Sequence, residues 1–161
     1  TVPGLVRVGI DDFARKMIGR ITAIEFPAKG SVVQQGERLF AIQQDERAAI
    51  FNAPVTGKVH LVNTELREHL DWLEKQPYEK GWVCSLQPEH LANELESLRI
   101  GEKAADWYRE EIARFRKLLA PANGNGKAAG VPELAQLVEG QLEEVDEQMW
   151  SKFSEIFLTK N

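Results

Sequence analysis

The sequence predicts a mainly β domain with some helix, a compact barrel or sandwich, followed by a helical C-terminal extension. Three observations predict it. Through residue 87, short segments that alternate apolar and polar residues recur between glycines and prolines, the spacing of short strands. From Pro88 onward the apolar period becomes that of helices. Residues 121–131 are rich in Gly, Ala and Asn, the composition of a flexible linker, and an amphipathic stretch follows. The expected organisation is a β domain at 1–87, helices at 88–120, a linker at 121–131 and an amphipathic helix at 132–161.

Taken in order, residues 5–10 alternate as a strand does. Asp11 or Asp12 can cap a short helix at 12–18 that stops at Gly19. Residues 21–26 read as a strand ended by Pro27. Gly30 and Gly36 bracket a turn-rich segment, and a strand resumes at 39–42. Residues 47–52 form the return strand of a hairpin, 54–57 a turn, and 58–63 another strand. Gly30, Gly36 and Gly57 are expected to supply positive φ at tight turns. Thr64 can cap a helix at 65–75, and 81–86 is a further strand. Pro88 suits the first turn of a helix at 89–99. A stronger helix covers 102–119, with Tyr108, Ile112, Phe115 and Leu119 on one stripe and Trp107 and Leu118 beside it. Pro132 opens the last helix. Leu134, Val138, Val145, Met149, Phe153 and Ile156 share a broad face, flanked by Leu142, Trp150 and Phe157. That face is expected to pack on the domain, on the preceding helix or on another chain.

Apolar residues make up 43% of the 161, enough for a core, and the net charge is −5. This balance argues against a general nucleic-acid binder, which needs a basic face. No apolar run is long enough to cross a bilayer and no signal peptide is visible; because the chain begins at Thr1, an upstream segment is left open. A single cysteine, Cys84, excludes an internal disulfide and a cysteine-based zinc site. It reads as a small buried strand residue rather than a reactive thiol, and a reducing, cytoplasmic setting is expected.

Four stretches, in order and correctly spaced, resemble the H protein of the glycine cleavage system, a lipoyl carrier. They are Val8-Gly-Ile-Asp-Asp-Phe-Ala14 followed by Gly19; Glu25-Phe-Pro-x-x-Gly30 with Val33 and Gly36; Pro54-Val-Thr-Gly-Lys-Val59 with Val62-Asn63; and Gln76-Pro-Tyr-x-x-Gly-Trp82. The resemblance runs from about Gly9 to Trp107 and leaves the tail without a counterpart in short H proteins. It implies a lipoyl/biotinyl-type barrel-sandwich hybrid of two small antiparallel sheets with a protruding hairpin.

The resemblance also implies where a lipoyl group would sit. Family members that carry lipoate have a lysine eight residues before the proline of Pro-x-x-Gly, and counting back from Pro54 gives Glu46. The local string is Gln43-Gln-Asp-Glu-Arg47, with no lysine. Lipoate is attached as an amide to a lysine ε-amine. Glu46 offers no nitrogen, and the Arg47 guanidinium stays protonated and is a poor nucleophile. A one-residue slip would turn the strand's side chains to the opposite face. Lys29 and Lys58, the nearest lysines, fall in other turns or strands.

Asp45, Glu46 and Arg47 are therefore read either as a solvated turn or as a recognition tip, and not as a paired-carboxylate active site, since a hairpin tip offers no desolvation. His60, His69 and His90 are scattered; His69 with Glu65 and Glu68 reads as a helix face rather than a metal site. No Gly-x-Gly-x-x-Gly or Walker motif occurs. Trp72, Trp82, Trp107 and Trp150 read as core or helix-packing residues. The expected function is a non-catalytic interaction or assembly module without catalytic residues, metal or cofactor. Its partner would be a protein, or a second copy bound through the C-terminal helices. The alternative is a working lipoyl carrier subunit, with lipoate as its cofactor.

Overall fold

A computed structural model describes residues 4–98, 102–119 and 147–153. Among the described residues, seven strands form two antiparallel sheets. The first contains β1 (Val6–Gly9), β3 (Val32–Val33), β6 (Gly57–Val62) and β7 (Trp82–Pro88), in the order β1-β7-β6-β3. The second contains β2 (Ala23–Glu25), β4 (Arg38–Gln44) and β5 (Arg47–Asn52), in the order β2-β4-β5. The expected strands are all present. The expected barrel is not: this is a mixed α and β fold of two open sheets with C-terminal helices. Closure needs a hydrogen-bonded neighbour for every edge. Here β1 and β3 are edges of one sheet, β2 and β5 of the other. The 30–36 segment contributes only Val32 and Val33 to a ladder, and they pair with Lys58 and Gly57 of β6, so among the described residues no strand links the two sheets.

What joins the sheets is one apolar core. Val33, Val59, Val83 and Leu86 from the first sheet meet Leu39, Phe40 and Ile42 from the second, with Leu66 and Leu73 closing an end. Phe40 and Phe51 stack across β4 and β5 with ring centroids 5.0 Å apart. Residues 39–42 of β4 are buried on both faces, which is why that strand reads as a continuous apolar run rather than an alternating one. Cys84 is fully buried in β7, as expected, and burial pushes its thiol pKa up to about 12.

Helix α1 (Asp12–Ile18) is bounded as its sequence predicts. The Asp11 carboxylate accepts from the Ala14 N–H at 2.8 Å, and Gly19 ends the helix at φ 75°. Gly30 and Gly36 have the expected positive φ, at 87° and 85°. Gly57 does not. It is needed for close approach: a Cβ there would lie 2.4 Å from the Gln87 carbonyl oxygen of β7.

Two expected helices are shorter. Residues 65–75 divide into a 3₁₀ turn, Thr64–Arg67, and α2 (Trp72–Lys75), because the residues between tighten into i→i+3 bonds while Leu66 and Leu73 stay buried. Thr64 is not the cap; Asn63 precedes the turn, and its Nδ2 donates to the carbonyls of Lys80 and Trp82, each at 2.8 Å. Pro88 ends β7, and the helix at 89–99 reduces to α3 (Leu91–Glu94) and a 3₁₀ turn at Leu95–Ser97. Helix α4 (Glu102–Leu119) keeps its expected bounds, with Ile112 buried; Tyr108, Phe115, Leu118 and Leu119 lie outside the described side chains. Of the last helix, α5 (Glu147–Phe153) is described, and the linker at 121–131 and the rest of the apolar face fall outside the described residues.

Candidate functional site: the tip of the β4–β5 hairpin

Strands β4 and β5 pair from Arg38↔Asn52 up to Gln44↔Arg47, leaving Asp45 and Glu46 as a two-residue turn. Asp45 carries the positive φ, 52°, that a tight hairpin needs, and it is the only non-glycine with positive φ among the described residues. An aspartate tolerates that conformation better than most side chains. Both turn residues are exposed. The expected tip is therefore an outward-facing turn presenting two carboxylates, with Arg47 at its base.

The turn is pinned from below. Thr22, just before β2, accepts from the Asp45 N–H at 3.0 Å and donates from its hydroxyl to the Gln43 carbonyl at 3.1 Å. Gln44 is buried beneath the turn, and its Nε2 donates to the Ile18 carbonyl at the end of α1. The Gln44 Oε1 has no hydrogen-bond partner among the described residues. Arg20, Gln44, Asp45, Glu46 and Arg47 line a hollow of about 390 Å³.

The tip is also engaged from the tail. The Arg47 guanidinium lies 5.5 Å from the centroid of the Trp150 ring, and its Nε is 3.6 Å from a Glu147 carboxylate oxygen. Trp150 is only 4% exposed. The expectation that Trp150 is a packing residue thus holds, and its packing includes the base of the hairpin. The sequence reading missed Thr22, Gln44 and Glu147. A Glu-x-x-Trp pair on one helix face is a visible pattern, yet nothing local says which surface it meets.

Of the nearest lysines, Lys58 lies in β6 of the other sheet and Lys29 in the turn before β3; residues 38–52 contain none. His69 stacks on Trp72 with centroids 4.4 Å apart, and among the described residues no group of three or more His, Cys, Asp or Glu side chains could hold a metal ion. No described helix is long and apolar enough to cross a membrane.

Two small sheets, a tight hairpin turn and an N-terminally capped helix make up the scaffold. The family model for the glycine cleavage H-protein matches residues 2–111, and the chain belongs to that family. It is 35% identical over 108 residues to the glycine cleavage system H protein of Halalkalibacterium halodurans, covering 67% of this chain and 80% of that one. It is 34% identical over 104 residues to a probable glycine cleavage system H protein of Pyrococcus furiosus, covering 65% and 77%. A crystal structure of a glycine cleavage system H protein from Mycobacterium marinum superposes with a TM-score of 0.50 at 29% identity, over 55% of this chain and 70% of that chain. Proteins of this family are carrier subunits that act with protein partners and are not themselves enzymes, which is the basis for reading this chain as non-catalytic.

Proposed function

We propose that this chain is an H-protein-type scaffold that carries no lipoyl group and works as an interaction or assembly module through its hairpin tip. The carrying observation is the composition of the turn: Asp45 and Glu46 occupy it, and the resemblance implies Glu46 as the counterpart of the family's modified lysine. Amide formation needs an unprotonated primary amine on an exposed stem. A carboxylate has no nitrogen, and an arginine does not give up its proton near neutral pH. Family membership alone favours the second reading, a working carrier. Co-expression with a lipoate ligase and lipoate, followed by intact mass measurement, separates the two. The unmodified mass is expected; a gain of one lipoyl group would end the proposal. The Glu46→Lys variant, run alongside, reports whether the ligase reads this tip at all.

Asp45, Glu46 and Arg47 are the proposed contact residues, with a protein as partner. The division into a β domain at 1–87, helices at 88–120, a linker at 121–131 and a terminal helix at 132–161 is kept as part of this reading, with the C-terminal helices as a second surface for a partner or another copy. The single buried thiol supports a reducing compartment, and the cytoplasm is the proposed location.

A further inference from the structure

Among the described residues, the tail meets the hairpin at Arg47 with two different groups. Arg47 opens β5 directly after the turn. Trp150 offers it a ring face at 5.5 Å, and Glu147, one turn earlier on α5, offers a carboxylate at 3.6 Å. Spacing i, i+3 puts both on one side of the helix. The two contributions are unequal. Glu147 is 82% exposed, so its ion pair is weakened by water and salt. Trp150 is 4% exposed and Arg47 only 22%, so the cation and the ring meet largely out of water, where such a contact is strongest. The indole is the anchor and the carboxylate is the guide.

We propose that α5 is a displaceable cover held in cis on the flank of the hairpin tip, and that a macromolecular partner gains Arg47 and that flank only when this helix lifts. The proposal deepens the reading of the tip as a contact surface and rests on it. It also states the chemistry of the partner: what replaces α5 at Arg47 is an acidic segment carrying an aromatic ring, since that is what the guanidinium already holds. Asp45 and Glu46 stay exposed with α5 in place, so what the cover withholds is Arg47 and the flank of the turn beside it.

The test uses the full chain with Glu46→Cys as a reporter. The native thiol does not compete, because Cys84 is fully buried and its pKa is pushed up to about 12. Labelling rates are measured with iodoacetamide and with a long polyethylene-glycol maleimide. The bulky reagent reacts in proportion to the fraction of molecules with the tip open. The ratio of bulky to small rates is expected to rise about tenfold on adding Trp150→Ala, the loss of one desolvated cation–ring contact. Glu147→Lys, which faces Arg47 with a like charge at an exposed position, is expected to raise it about threefold without touching the core. An unchanged ratio in both variants overturns the cover. A ratio in the reporter chain that falls as protein concentration rises also overturns it, because the helix would then come from a second copy. Neither result bears on lipoylation, which the mass measurement decides separately.

Discussion

Replacing Gly57 by alanine separates two reasons for which a chain can require glycine. Gly36 needs its conformation: φ is 85°, and a Cβ there would meet nothing within 4 Å. Gly57 needs its emptiness: a Cβ would lie 2.4 Å from the Gln87 oxygen, 2.9 Å from the Gln87 carbonyl carbon and 3.0 Å from the Pro88 Cα. All three atoms are backbone, so no side chain can swing away. Relief requires β6 to part from β7 by roughly 1 Å where Gly57 faces Pro88 and Lys58 faces Gln87. Overpacking strain of about 1–3 kcal/mol adds to about 1 kcal/mol for each ladder bond weakened. The expected loss is about 3 kcal/mol, or roughly 6–12 °C in Tm for a chain of this size. Gly36→Ala is expected to cost about 1–2 kcal/mol, roughly 2–8 °C, from the left-handed backbone alone. Scanning calorimetry of both variants checks the order. If Gly57→Ala melts with or above Gly36→Ala, the close approach of β6 to β7 is not what fixes that glycine.

Three further outcomes follow from the same contacts. Asn63→Asp replaces a buried amide donor with a carboxylate facing the Lys80 and Trp82 carbonyls; a loss of about 3 kcal/mol or more in urea unfolding is expected, larger than for Asn63→Ala. Cys84, raised by burial from 9.0 to about 12, contributes stability that is complete below pH 9 and lost as pH rises toward 12. The wild-type denaturation midpoint should therefore fall more steeply across that window than that of Cys84→Ala, and the native thiol should resist a disulfide reagent at pH 8. Glu46→Lys sits in an exposed turn whose positive φ belongs to Asp45, so Tm should move by no more than about 2 °C; a larger drop would make Glu46 structural.

What was legible in the sequence was local. Asp11 and Gly19 bound α1 because a cap and its stop act within a few residues. Gly30 and Gly36 announced their turns for the same reason. Gly57 was expected in a turn with positive φ, but it opens β6, and the atoms that exclude its side chain belong to residues 87 and 88. The 65–75 segment carried helical spacing in Leu66 and Leu73, but one periodicity is shared by an α-helix and by two short turns that bury the same leucines. Barrel closure could not be read at all. It depends on which edges meet, and the two-residue β3 is too short to show a period of its own. At the tip, the turn was visible from Asp45 and Glu46, while its supports were not: Thr22 is 23 residues from Asp45, and the tail helix comes from about a hundred residues beyond Arg47.

Those supports bear on function. A carrier arm works by moving, and the segment that holds it has to stand clear of its own protein. Here the turn's backbone is tied to Thr22, and Gln44 is tied beneath it to the end of α1. Both ties fix the turn from below and leave Asp45 and Glu46 exposed. Fixed geometry instead suits a surface that is to be recognised by shape and charge, because the ordering entropy is spent before the partner arrives. On the proposed reading, the carboxylate at position 46 and the ties beneath the turn weigh on the same side: a tip with no amine to acylate gains nothing from standing free, and a tip that is to be recognised gains from being held.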